Sequence, residues 1–364
     1  MIARDVLPLF CFGFDGTDIP DHIHGLLGDG LGGIILFKRN LRDLDQICAL
    51  TANLHRHAAG PLLIGVDQEG GRVVRLPPPF LAPPPAAALG RIGDPGLTQD
   101  LACAVGRELR AAGFTWNLAP VLDVHTNPQN PIIGDRAFSH DPWEVSRMGL
   151  AAFRGFQEAG ILTTGKHFPG HGETSVDSHL ALPESPQSAE RWRAVEFVPF
   201  LEAIRAGVPS ILTAHLVCRA LDPSVPSSLS RVVITDILRG ELGFDGVVVS
   251  DDMEMGAIVT RFEIGEATVR FLEAGGDLVL VCRDAERQRQ SVAAVESAVR
   301  SGRLSGRRLE ASLDRVARFR GRTPPYRTAP RPEAILGIVG TQERHALLSR
   351  LLAAAPNRAG AGQG

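Results

Sequence analysis

Eight short apolar runs between residues 6 and 281 constrain this chain more than any other feature. They cover 6–12, 33–37, 62–66, 114–118, 161–165, 210–214, 247–250 and 277–281. Each is continuous rather than alternating, the pattern of strands buried on both faces of a parallel sheet. Helical spacing of apolar residues fills the intervals at 43–57, 97–112, 143–159, 189–206, 232–242, 263–274 and 285–300. A junction signal repeats after these helices: A-A-G-F-T, E-A-G-I-L, R-A-G-V-P and E-A-G-G-D place Gly113, Gly160, Gly207 and Gly275 just before a strand, with Gly243 as a variant. Glycine there takes the left-handed conformation that closes a helix. Strands and helices in alternation predict an α/β fold, a single (β/α)8 TIM-type barrel over residues 1–354. A doubly wound open sheet is the alternative, weakened by the lack of G-x-G-x-x-G after the first run. The proline-rich piece 77–85 reads as a rigid loop. A short C-terminal helical extension falls near 341–354, and 355–364 reads as a disordered tail.

Barrel enzymes carry their chemistry at the C-terminal ends of the strands. The residues following each run are therefore candidates. They are Asp67 in D-Q-E-G-G-R, Asn117 and Asp123 in N-L-A-P-V-L-D-V, Arg136 in G-D-R-A-F-S, Lys166 and His167, His215, and Asp251 with Asp252 in S-D-D-M-E-M. The densest stretch is K-H-F-P-G-H-G-E-T-S-V-D-S-H, residues 166–179. Its Pro and Gly exclude regular helix or central strand and predict a shaped loop that starts at the end of the fifth strand. Gly170 and Gly172 are expected to let it close over a substrate. Lys166 is one of only two lysines in the chain, and a compact ammonium suits a polar ligand.

Asp251, rigid at a strand end, suits a nucleophile, although Asp also caps helices. Asp177 and His179 stand two apart, so in extended backbone both side chains face one way. The carboxylate would orient the imidazole and raise its pKa; a solvated loop histidine is the plainer reading. A metal site from His167, His171, His179, His215 and Asp251 would need paired ligands, and H-x-x-x-H through Gly and Pro is a poor rigid pair. A phosphate cradle at Gly170 and Gly172 lacks a following helix.

Composition narrows the class. Net charge is −3 and the pI about 6.4, which gives no basis for a nucleic-acid or anionic-membrane partner. Five cysteines without paired spacing predict buried free thiols. No signal peptide or membrane span is read at the N-terminus, so a cytoplasmic monomer acting on a small molecule is expected.

These motifs, taken in order with G-G-I-I-L-F-K-R-N, resemble glycoside hydrolase family 3, and specifically its bacterial cytosolic β-N-acetylglucosaminidases of cell-wall recycling. The resemblance spans residues 7–319. It implies a retaining enzyme that removes terminal N-acetylglucosamine from peptidoglycan-derived muropeptides without a metal or other cofactor. By it, Asp251 is the nucleophile and His179 the acid/base with Asp177 as partner, while Asp67, Arg75, Arg136, Lys166 and His167 bind the terminal sugar. Many family members append a second domain; here the barrel's own loops would complete the site. A glycoside phosphorylase, a β-glucosidase of the same family, a metal-dependent barrel hydrolase and a non-catalytic sugar binder remain the alternatives.

Overall fold

The computed structural model describes residues 6–174, 182–323, 330–339 and 341–354. Eight parallel strands close into one barrel: β1 (Phe10–Phe12), β2 (Gly33–Leu36), β3 (Leu63–Val66), β4 (Trp116–Asn117), β5 (Leu162–Phe168), β6 (Ser210–Thr213), β7 (Val247–Asp252) and β8 (Leu278–Val281). Strands pair in chain order. β1 shuts the ring against β8, with Phe10, Cys11 and Phe12 opposite Val279, Leu280 and Val281. Each apolar run contributes one strand. Their continuity has a simple cause: one face fills the barrel interior while the other meets helices, so both must be apolar. Closure rules out the open sheet.

The helices follow the strands: α1 (Asp21–Gly28), α2 (Leu44–His57), α3 (Pro95–Ala111), α4 (Pro142–Glu158), α5 (Phe197–Arg205), α6 (Ile264–Ala274) and α7 (Ala285–Arg300). A wide-turned helical segment, Val232–Glu241, follows β6. The starts are written in the sequence. Asp43, Asp94, Asp141 and Asp284 each accept first-turn amides, and Pro95 and Pro142 occupy the first helical position. Such a cap contributes about 1 kcal/mol. All five junction glycines have positive φ, from 74° at Gly160 to 114° at Gly275.

Two strands outrun expectation. β5 continues through Lys166 and His167 to Phe168, which pairs with Thr213 after a register shift; its carbonyl accepts the Ala214 amide at 2.7 Å. Pro169, which has no N–H, comes next. β7 extends to Asp252, so Asp251 is a strand residue. Peptide bonds preceding Pro79, Pro120, His167 and Pro169 are cis.

Helix α1 and α8 (Gly306–Gly321) add to the predicted set. α8 buries only a narrow stripe, Leu309, Ser312, Val316 and Phe319. α9 (Pro332–Val339) and α10 (Gln342–Ala354) follow; they bury Ile335 and Leu347 and pack against α3. The expected tail at 355–364 lies outside the described residues. All five cysteines are free and buried. Among the described residues, no helix is long and apolar enough to cross a membrane.

Candidate active site

Strand ends on the C-terminal rim surround a cavity of about 670 Å³. One wall is a buried network of charge. The Lys166 ammonium lies between two carboxylates, 2.7 Å from Asp67 Oδ1 and 2.5 Å from Glu69 Oε1. Glu69 also holds Arg136 in a two-pronged pair, both contacts at 2.8 Å. Asp67 Oδ2 stands 3.8 Å from Arg75 Nη2. Burial works against ionisation of Glu69, but Arg136 and Lys166 outweigh it and hold its carboxyl well below the usual range. Burial likewise works against the Lys166 ammonium; Asp67 and Glu69 outweigh it and raise its pKa. Glu69, Lys166 and Arg136 therefore stay charged at neutral pH against the cavity.

His167 is aimed from behind. Its Nδ1 lies 2.6 Å from Asp123 Oδ2, and Arg136 Nη2 donates toward its Nε2 at 3.2 Å. A guanidinium only donates, so Nε2 accepts and Nδ1 carries the proton given to Asp123. Asp123 Oδ1 also accepts the His171 amide at 2.7 Å. Burial opposes ionisation of Asp123, yet His167 and His171 bring its pKa below the ordinary value. His171 is itself buried, which lowers its pKa to about 4 against the pull of Asp123. Its Nδ1 is 2.6 Å from Thr174 Oγ1. It is a neutral anchor at pH 7.

Opposite this wall, β7 delivers Asp251. Its Oδ1 accepts the Asp252 amide at 2.8 Å, and the half-buried carboxylate lines the cavity. Asp252 braces the following loop instead, accepting the amides of Glu254 at 3.0 Å and Cys282 at 3.2 Å. Burial pushes its carboxyl up to about 7.

Asp67, Arg75, Arg136, Lys166, His167 and Asp251 all line one cavity. Asp177 and His179 lie outside the described residues. Three rim candidates turn away instead. Asn117 clasps the backbone of Gln68 through bonds of 3.0 and 3.1 Å, and Asp123 orients His167. His215 is buried between Ser228 Oγ at 2.7 Å and the Asp252 carbonyl at 3.0 Å, bracing the end of β7. Glu69 is the residue that sequence reasoning missed. Its signal was present: it stands two after Asp67, the spacing that puts both carboxylates on one side of extended backbone.

The expected freedom at Gly170 and Gly172 is also corrected. A Cβ on Gly172 would lie 1.8 Å from the Val124 carbonyl oxygen, and one on Gly170 would lie 2.8 Å from Glu196 Cγ. These glycines permit close packing, so the stretch 169–174 after β5 is pinned against Val124 and Glu196, while 175–179 lie outside the described residues. Among the described residues, no three His, Cys, Asp or Glu side chains are grouped to hold a metal ion. What the site offers is a carboxylate facing fixed donors and acceptors, suited to a neutral polyhydroxylated ligand and attack at one of its carbons.

Comparison with known proteins agrees. The glycosyl hydrolase family 3 N terminal domain matches residues 21–319. A β-hexosaminidase of Thiobacillus denitrificans is 41% identical over 278 residues, covering 74% of this chain and 77% of that protein. The β-hexosaminidase A of Pseudoalteromonas piscicida is 35% identical over 337 residues; the match takes in 85% of this chain but 56% of that longer protein. Among solved structures, a family 3 β-N-acetylglucosaminidase from Paenibacillus superposes with a TM-score of 0.90 at 41% identity, over 98% of this chain and 69% of that one. NagZ from Neisseria gonorrhoeae, in complex with N-trifluoroacetyl-D-glucosamine, gives 0.77 at 31% identity, over 96% and 98%. The chain belongs to glycosyl hydrolase family 3 and is a glycoside hydrolase.

Proposed function

We propose that this enzyme is a retaining exo-β-N-acetylglucosaminidase that releases terminal N-acetylglucosamine from peptidoglycan-derived muropeptides in the cytoplasm. The observation that carries the reading is Asp251 on β7 facing, across one cavity, the Asp67–Glu69–Lys166–Arg136–His167 wall. The β-hexosaminidase relatives support the choice of sugar.

In the first step an Asp251 carboxylate oxygen bonds to the anomeric carbon while the glycosidic C–O bond breaks. The leaving oxygen takes a proton from His179, with Asp177 stabilising the imidazolium. Water then attacks the same carbon, giving its proton back to His179, and the C–O bond to Asp251 breaks. Two inversions leave the β configuration. Asp67, Arg75, Arg136, Lys166 and His167 hold the sugar hydroxyls; because they are already paired and fixed against the cavity, they need little reorganisation as charge develops.

The test compares chromogenic β-N-acetylglucosaminide with β-glucoside, with and without phosphate, following the first-formed anomer by NMR. Preference for the acetamido sugar, a β product and no sugar 1-phosphate are expected. Preference for the glucoside overturns the substrate. An α product overturns the mechanism, and sugar 1-phosphate makes the enzyme a phosphorylase.

A further inference from the structure

The segment carrying Asp67, Glu69 and Arg75 leans on residues 77–85, P-P-P-F-L-A-P-P-P, in which six of nine positions are proline. Lacking those N–H groups, the loop makes an internal backbone bond from Phe80 to the Pro77 carbonyl at 3.2 Å and is otherwise held by groups outside it. On the inner side Gln68 Nε2 donates to the Leu81 carbonyl at 3.1 Å, and the Gly71 amide donates to the Pro83 carbonyl at 2.9 Å. Gln68 sits between Asp67 and Glu69, and its Oε1 accepts the Arg75 amide at 2.9 Å.

On the outer side the Leu81 amide donates to Glu108 Oε2 at 2.6 Å. Arg344 of α10 donates from Nε to Glu108 Oε1 at 2.8 Å and from Nη2 to the Pro79 carbonyl at 3.1 Å. The Glu108 and Arg344 side chains are 3% and 13% exposed, so removing one leaves the other buried with its charge uncompensated. Arg344 lies beyond residue 319, where the family match ends. A connected path of hydrogen bonds thus runs from the C-terminal extension to the cavity wall.

We propose that Arg344 is a positioning residue for the sugar site: with Glu108 it clamps the proline loop, and the loop, through Leu81 and Gln68, sets Asp67, Glu69 and Arg75. The proposal rests on reading that wall as the binder of the terminal sugar. A wall set loosely binds the sugar less well, while Asp251, on the far side, keeps its place. The effect therefore falls on KM.

The experiment compares Arg344→Met and Arg344→Lys with Arg107→Met, which removes a surface contact (3.1 Å to Glu343) between α3 and α10 without touching the loop. Steady-state kinetics on a chromogenic β-N-acetylglucosaminide are read beside amide hydrogen exchange of residues 68–76. Arg344→Met is expected to raise KM about tenfold with kcat within about twofold. Arg344→Lys should recover part of the loss, and Arg107→Met should match wild type. Exchange at 68–76 should quicken in Arg344→Met, less in Arg344→Lys, and not in Arg107→Met. Unchanged KM and exchange in Arg344→Met, or equal changes in Arg107→Met, overturn the proposal. If Arg344→Met does not fold, Arg344→Gln, which keeps a donor, carries the same comparison. Wild-type turnover tests the functional reading, whereas exchange tests the brace whatever the substrate, so the two failures are distinguishable.

Discussion

Two buried charge networks sit at opposite ends of this barrel, and they are built differently. At the upper end Lys166 pairs with Asp67 and Glu69, Arg136 shares Glu69, and all four line an open cavity. At the lower end Asp277, just before β8, accepts Arg239 at 2.5 Å, Ser312 at 2.8 Å and the Val248 amide at 3.0 Å, with Arg308 at 3.3 Å. The remaining donors of Arg239 are spent on the carbonyls of Phe244, Gly246 and Gly275. The lower network consumes itself in tying loops to strand starts, while the upper one faces space that a ligand can fill. Similar chemistry thus ties loops together below and, on the proposed function, binds the sugar above, the division expected of this architecture.

Substitutions should separate the two ends. Asp251→Asn is expected to lower kcat on the order of 10⁴-fold with product binding and melting temperature nearly unchanged; retained turnover would erase the upper end's claim to chemistry. Asp277→Asn leaves guanidinium groups buried without their carboxylate and should cost about 3–5 kcal/mol in denaturant unfolding, with kcat per folded molecule preserved. Lost activity at full stability would break the comparison from below. Glu69→Gln removes the shared partner of Lys166 and Arg136 and should lower kcat/KM about 100-fold, with a smaller stability loss than Asp277→Asn. The reverse ranking would make the upper network structural as well.

The smallest effect concerns Glu196, packed under Gly170 and paired with Arg191 at 3.0 Å. Burial raises its carboxyl pKa to about 7, with Arg191 opposing. A folded pKa above the unfolded one gives stability that is present at low pH and lost as pH rises through about 7. Glu196→Gln should therefore melt higher relative to wild type at pH 8 than at pH 5, by a few degrees. A difference independent of pH would show that the group does not titrate there.

The barrel was legible because its signals are local. Continuous apolar runs, aspartate caps and junction glycines each act within a few residues. α8 was missed although Leu309, Ser312, Val316 and Phe319 keep helical spacing, because its other positions are charged and its buried stripe is thin. The site was legible as far as strand ends could be read, which brought Asp67, Lys166, His167 and Asp251 to one rim. Direction was not: in strands buried on both faces, alternation no longer tells which side chain faces the cavity. Hence Asn117, Asp123 and His215 were placed on the rim while Glu69 was passed over. Packing at Gly170 and Gly172 depends on Glu196 and Val124, which no local pattern reveals.

The central claim, that Asp251 is the nucleophile, is tested most directly by trapping. Enzyme incubated with a slow 5-fluoro N-acetylglucosaminyl donor should gain the mass of one sugar, and peptide mapping should place it on Asp251. Turnover of the donor with no covalent species at any time, or an adduct on another residue, would contradict the account.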